Sequence, residues 1–242
     1  MTTHTRESKL STAFVKLADT LVAEYDVVEL LHWLVDECTA ILDTQSGGLL
    51  LVDPAGELQL VASTSEDAKL VEVIQLAAGD GPCLECFRTG VAVTVGDIEA
   101  EAHRWPRFSA EALDLGFRSV HATPLRLRGQ TIGTMNLFSH HVGALVPEDI
   151  AVAQALADVA TIGILQERSI RSAQLLAEQL QHALDSRILI EQAKGVLATT
   201  MSTSVDEAFA VLRRYARERN LPLRQVADDV VGRRLDLRAG GD

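Results

Sequence analysis

The sequence predicts an α/β domain, an antiparallel sheet flanked by helices, followed by a long coiled-coil helix and an all-α module of three helices. Three observations carry this expectation. The apolar period changes from helical to extended after Leu42. Paired apolar runs then flank two turn signals, Asp53-Pro54-Ala55-Gly56 and Arg128-Gly129. From Pro147 only Gly163 and Gly195 interrupt a helical pattern that lasts to about Thr199.

Taken in order, Leu10, Phe14, Leu17, Leu21 and Val22 stand at helical spacing. A second helix starts at Asp26, which has Glu29 at capping-box spacing, and its apolar face runs from Leu30 to Leu42. Strands follow over 48–52 and 57–61, then a helix over 67–78 that stops at Gly79. Gly81-Pro82-Cys83 opens a short helical turn that ends at Gly90, and 91–95 reads as a strand. Residues 97–117 are irregular and partly helical, and 119–127 with 130–139 form a hairpin. Pro147 is a favourable first helical residue. These elements divide the chain into an N-terminal helix (1–25), an α/β domain (26–166), a signalling helix (167–182), a helical module (183–234) and a flexible tail (235–242).

In the helical module, Ile188, Ala193, Val196 and Leu197 are expected to form the inner face of the first helix. A second helix begins at Ser204, with Glu207 completing a capping box. Val205, Ala208, Phe209, Leu212 and Ala216 lie at core spacing on it. A third helix starts near Pro222 and buries Leu223, Val226, Ala227, Val230 and Val231. Arg213, Arg214, Arg217 and Arg219 crowd around Tyr215 on the middle helix. Bases of single-stranded RNA stack on aromatic and guanidinium planes while cations hold phosphate, so this cluster has the composition of an RNA contact. Two bland readings stand beside it. Asp206, Glu207 and Glu218 are near enough in sequence to make it a solvated salt-bridge face, and Tyr215 has equal claim to be a packed rim residue.

The formal net charge of −12 does not exclude RNA binding. Residues 1–168 hold 11 basic and 24 acidic side chains, whereas 169–242 hold 11 and 10. Association responds to the local field within a Debye length of about 8–10 Å.

The pieces Arg187, Ile190-Glu191-Gln192-Ala193-Lys194-Gly195, Ala208-Phe209, Leu212-Arg213, Ala216-Arg217 and Val226-Ala227 resemble the ANTAR module. This is the RNA-binding domain of transcription antiterminators of the AmiR and NasR type. Upstream, Gly81-Pro82-Cys83, Asp97-Ile98, Arg104-Trp105-Pro106-Arg107-Phe108, Val120 to Pro124-Leu125, Ile132-Gly133 and Asn136-Leu137 resemble a GAF sensor domain of the actinobacterial kind. The resemblance implies RNA contacts from Arg187, Lys194, Arg213, Arg214, Tyr215, Arg217 and Arg219, with Gly195 serving helix packing. It implies a regulator that binds paired stem-loops in a nascent leader transcript and prevents a terminator hairpin from forming.

Cys83 and Cys86 form a CxxC after a glycine-rich turn. Three readings are open for them: structural burial, a redox switch with a thiolate favoured near a helix N-terminus, or attachment of a ligand. The seven histidines show no HxH or HExxH spacing, no zinc set is complete, and no cofactor is expected. The Asn-Lys-x-Phe-Asp-Glu set that marks cyclic-nucleotide GAF domains is absent, which leaves a small molecule in the GAF pocket unidentified. A class of GAF proteins reduces free methionine sulfoxide through pocket cysteines, but the cysteines here do not clearly match and those enzymes carry no ANTAR tail. A non-enzymatic regulator is therefore expected. The odd cysteine count and the lack of an apolar leader point to the cytoplasm, and no apolar run approaches the ~18–20 residues of a membrane span. Val152, Ala155, Val159 and Ile162, then Ala173, Leu176, Leu180 and Ala183, form a seam that predicts a parallel homodimer through the long helix, the other reading of Val152–Ile162 being that they cover the sheet of the α/β domain. The competing function is a GAF-driven dimer whose C-terminal helices bind protein rather than RNA.

Overall fold

The structure, a computed structural model, describes residues 3–20 and 26–237. The chain divides into two compact units, Met1–Arg168 and Ser169–Asp242. Leu21 and Val22, placed above on the first helix, lie outside the described residues.

The first unit is built on a five-stranded antiparallel sheet ordered β2-β1-β5-β4-β3, comprising β1 (Ser46–Val52), β2 (Leu58–Ser63), β3 (Val93–Val95), β4 (Ser119–Leu127) and β5 (Gln130–Ser139). The β4–β5 hairpin has the bounds its turn signal predicts, because Arg128 (φ 52°) and Gly129 (φ 83°) both take the left-handed conformation of a tight hairpin turn. One sheet face is covered by α1 (Thr3–Thr20), α2 (Val27–Leu42) and the first part of α6 (Pro147–Met201). Leu31, Leu34, Val35 and Cys38 of α2 meet Leu49, Leu51, Met135 and Leu137 of the sheet and Ala153, Leu156, Ala157 and Ala160 of α6. Asp26 caps α2, its carboxylate accepting from the amides of Val28 and Glu29. Ala13 and Leu17 anchor α1 in the same core, and Arg6 pairs with Asp149, so the N-terminal helix belongs to this unit.

The other face carries α3 (Glu66–Ala78), α4 (Pro82–Thr89) and α5 (Pro106–Asp114). Ser65 caps α3, which therefore begins one residue before the expected 67, and Gly79 (φ 69°) ends it. Val91 is exposed and the strand starts at Val93. The Arg104-Trp105-Pro106 segment is structural: the Arg104 guanidinium stacks 4.0 Å from the Trp105 ring and bonds Glu85 and Glu101, while Trp105 and Phe108 pack in the core.

Beyond Arg168 the same α6 helix enters the second unit, which α7 (Val205–Glu218) and α8 (Leu223–Val231) complete. Ala193, Leu197, Ala208, Leu212, Ala216, Val226, Ala227 and Val230 make its core. The seam predicted on α6 is corrected in its first part. Ala153, Leu156, Ala157, Ala160 and Ile164 are buried in the core under the sheet, Val152 and Val159 pack partly buried against that same core, and Ile162 is exposed. Leu235 and Leu237, assigned above to a flexible tail, pack against the second unit's core, and 238–242 lie outside the described residues.

Candidate nucleic-acid interface and sensor core

Ser204 fixes the start of α7. Its hydroxyl accepts from the Glu207 amide at 3.2 Å, and the Glu207 carboxylate accepts from the Ser204 amide at 3.0 Å. Bonds from Thr203 and Ser204 hold the Glu207 carboxyl below its usual range and engage it as the helix cap.

From that start, α7 buries only Ala208, Leu212 and Ala216. Val205 and Phe209, expected in the core, are not. Val205 is 47% exposed, and Phe209 is half-buried and outside the core cluster. On the preceding helix Ile188 and Val196 are likewise exposed, whereas Leu189, Ile190 and Ala198 take the inward positions. The cause is geometric. A module of three short helices covers a narrow stripe of each: Phe209 stands roughly 60° off the centre of the α7 stripe and reaches the rim, whereas Val205 is exposed as the first residue of the helix.

The displaced ring creates the candidate interface. Phe209, Arg213 and Arg217 follow one another at i, i+4, i+8 along one flank of α7. The Arg213 guanidinium lies 5.6 Å from the Phe209 ring centre, and the Lys194 ammonium approaches the same ring at 5.2 Å. Lys194 is also held by Glu191 at 2.9 Å, so its charge is partly spent. Tyr215 stands about 120° round the helix from Phe209. It packs on the core rim with the Arg219 guanidinium 4.6 Å from its ring. The structure thus separates the cluster expected around Tyr215 into two aromatic–cation pairs on opposite flanks. Arg187, Arg213, Arg214, Arg217 and Arg219 are all exposed. Among the described residues none of these five has an acidic partner within ion-pair distance, unlike the salt-bridge face that the neighbouring Asp206, Glu207 and Glu218 suggested. Periodicity alone hid Phe209; the signal available in the sequence was its spacing from Arg213 and Arg217.

In the first unit, Cys83 and Cys86 sit in the first turn and middle of α4, and both are fully buried. Burial pushes the Cys86 thiol up to about 12 and Cys83 well above its ordinary value, where the nearby Glu72 carboxyl adds to the effect. Both shifts run against the thiolate that a redox switch requires, and the packing favours structural burial. Native protein is expected to react slowly at both thiols with a maleimide, with rapid modification on unfolding. Fast labelling of folded protein, or RNA affinity that changes with dithiothreitol, contradicts this assignment.

Cys83 borders a buried polar network that sequence reasoning missed. Glu72 is fully buried and accepts from Asn136 Nδ2 at 2.6 Å and from Gln75 Nε2 at 3.0 Å. Gln75 Oε1 in turn accepts from the Cys83 amide at 3.2 Å. Burial drives the Glu72 carboxyl from 4.5 up to about 8, against the bonds from Asn136 and Cys83 that favour its ionised form. Gly48 makes room for the carboxyl, since a Cβ there would lie 2.8 Å from Glu72 Oε1.

A family model of the GAF domain matches residues 24–165 and one of the ANTAR domain matches 178–231. Among solved structures, the GAF domain of an Acinetobacter phosphoenolpyruvate-protein phosphotransferase is 11% identical with a TM-score of 0.56, covering 70% of this chain and 98% of that one. A domain of a two-component sensor histidine kinase protein from Sinorhizobium meliloti is 15% identical (TM-score 0.53), covering 62% and 99%. The free methionine-R-sulfoxide reductase of Neisseria meningitidis is 21% identical (TM-score 0.53), covering 68% and 91%. At these identities the likenesses establish the fold alone. Comparison with curated proteins gives no match. With an antiparallel five-stranded sheet and three-helix C-terminal unit in the matched segments, the chain belongs to the GAF domain family and carries an ANTAR domain behind its GAF domain.

Proposed function

We propose that this chain is a cytoplasmic, signal-responsive regulator whose ANTAR domain binds stem-loops in nascent RNA and promotes transcription antitermination. The observation that carries the reading is the flank of α7 on which Arg213 and Arg217 stand unpaired beside the half-exposed Phe209 ring. Guanidinium groups without carboxylate partners are free to take phosphate, and an accessible ring offers a stacking platform for an unpaired base. Arg214 borders this flank, Arg187 and Lys194 lie on the neighbouring helix, and Tyr215 with Arg219 stands on the opposite flank of α7, and these five supply secondary contacts. The domain order, a sensor-type GAF unit ahead of an ANTAR unit, suits a regulator rather than an enzyme. Among the described residues no helix is long and apolar enough to cross a membrane.

The reading is tested by single-round transcription from a template with two leader stem-loops ahead of an intrinsic terminator. Added protein increases read-through, and removal of the stem-loops abolishes the increase. Unchanged read-through with the intact leader contradicts antitermination, and RNA-independent capture of a protein partner by the α7 flank favours the competing function.

The second unit's part of α6 supports a homodimer. Ala173, Leu176, Leu180 and Ala183 are all exposed and recur at the alternating three- and four-residue spacing of a coiled-coil seam. Among the described residues of this unit no strand stands to cover them. Two copies in parallel would bury this row and present two ANTAR modules to paired stem-loops, raising avidity through effective concentration. Light scattering at micromolar concentration is expected to give a dimer mass that falls to the monomer in Leu176→Lys with Leu180→Lys. A monomeric wild type, or a dimer indifferent to both substitutions, contradicts it.

A further inference from the structure

Helix α3 carries apolar residues on two sides. Ala68 and Val71 face the core, where Glu72 and Gln75 complete the buried side. Leu70, Val73, Ile74 and Ala77 stand at i, i+3, i+4, i+7 on the outer side, the spacing that lines one face of a helix. Leu70 is 47% and Val73 48% exposed, Ala77 is exposed and Ile74 is half-buried. Ile74, Ala77 and Ala78 also line a furrow of about 440 Å³ that α3 forms with Pro106, Arg107, Ala110 and Glu111 of α5. The outer face of a surface helix is ordinarily polar, and a contiguous apolar row there marks a site of association. We propose that this face docks a second copy of the chain, with the two α3 helices antiparallel.

Charge selects both the occupant and its direction. The N-terminal turn of α3 is acidic, with Glu66 and Asp67. Glu66 holds Lys69 at 3.2 Å, and Asp67 is exposed. The C-terminal half is flanked by arginines: Arg107 lines the furrow, and Arg88 donates to the Gly79 carbonyl at 2.8 Å. Asp80 at the same end turns its carboxylate onto the Gly81 amide at 3.0 Å. Among the described residues neither Asp67 nor Arg107 has an ion-pair partner. One apolar row thus has an unpaired carboxylate at one end and an unpaired guanidinium at the other. In an antiparallel pair Leu70 meets Ala77 of the second copy, Val73 meets its Ile74, and Asp67 reaches its Arg107. A two-fold axis makes each contact twice, and a surface complementary to itself is what such an interface requires. A parallel pair would set Asp67 beside Asp67 of the second copy.

The contact is independent of RNA binding and of pairing through α6. Four apolar side chains and one ion pair a copy fall well short of the ~20–30 residues a side of a stable interface. Association is therefore weak and sets in above the micromolar range, where it joins copies whether or not α6 has already paired them.

The test is sedimentation equilibrium of the full chain carrying Leu176→Lys with Leu180→Lys, which lie in the other unit and remove the exposed row of α6. The mass is expected to be monomeric at micromolar concentration and to rise towards the dimer on the order of 10⁻⁴–10⁻³ M, the range of a small transient contact. Val73→Asp, at a side chain already half in solvent, should abolish the rise with an unchanged circular dichroism spectrum. Arg107→Glu should weaken association about tenfold, since two ion pairs become two repulsions. Adding Asp67→Arg to Arg107→Glu should restore it, because the exchange rebuilds both pairs with the charges reversed. A monomer throughout that range, a dimer indifferent to Val73→Asp or to Arg107→Glu, or an exchange that fails to recover what Arg107→Glu lost overturns the proposal.

Discussion

Arg213→Glu combined with Arg217→Glu is expected to abolish binding of stem-loop RNA while leaving the ANTAR domain folded. Both side chains are exposed and have no acidic partner among the described residues, so their replacement should change stability by less than about 0.5 kcal/mol. Hydrogen bonds to charged groups contribute roughly 1.5–3 kcal/mol each, and losing two corresponds to an affinity loss of about 10²–10⁴-fold before the added repulsion is counted. Circular dichroism and an RNA titration on the same sample check both halves. Wild-type affinity in a folded double variant removes the α7 flank from the interface.

Glu72→Gln should change how stability responds to pH more than any other single substitution in the GAF domain. In the folded protein the Glu72 carboxyl titrates at about 8 rather than 4.5. Between those values the folded state holds a proton that the unfolded chain has released, so stability is fully present below about 4.5 and declines as pH rises towards 8. Keeping the carboxyl neutral at pH 7 costs roughly 3 kcal/mol at 1.36 kcal/mol per unit. Gln retains the size and an acceptor for Asn136 and carries no titrating proton. Its thermal stability should be flat over the window in which the wild type falls, giving an advantage at pH 8 that disappears at pH 4.5. Curves that run parallel for the two proteins would show that Glu72 does not hold its proton in the fold.

Much of the architecture could be read from the sequence because local signals decide it. Asp26 and Ser204 with Glu207 cap helices by contacts within three residues, and Arg128-Gly129 fixes the β4–β5 register through backbone conformation. What escaped depends on packing between distant segments or on the width of a buried stripe. Phe209 has the period of a core residue, yet the stripe of α7 is too narrow to cover it, and its ring stands at the rim beside Arg213. Tyr215 stands among four arginines in sequence, but among the described residues Arg219 is the one that stacks on it. Glu72 looked like any acidic residue of a helix, and its partner Asn136 lies 64 positions away.

The central claim is that the C-terminal unit binds RNA stem-loops through phosphate and loop-base contacts. The most direct measurement is a fluorescence-anisotropy titration of a labelled RNA with two tandem stem-loops by the full chain, repeated across salt concentrations and against a loop-free duplex of equal length. The account predicts saturable binding that weakens steeply as salt rises, because each neutralised phosphate releases counterions, and a marked preference for the RNA with loops. No saturable binding at low salt, or equal affinity for the duplex, would contradict it.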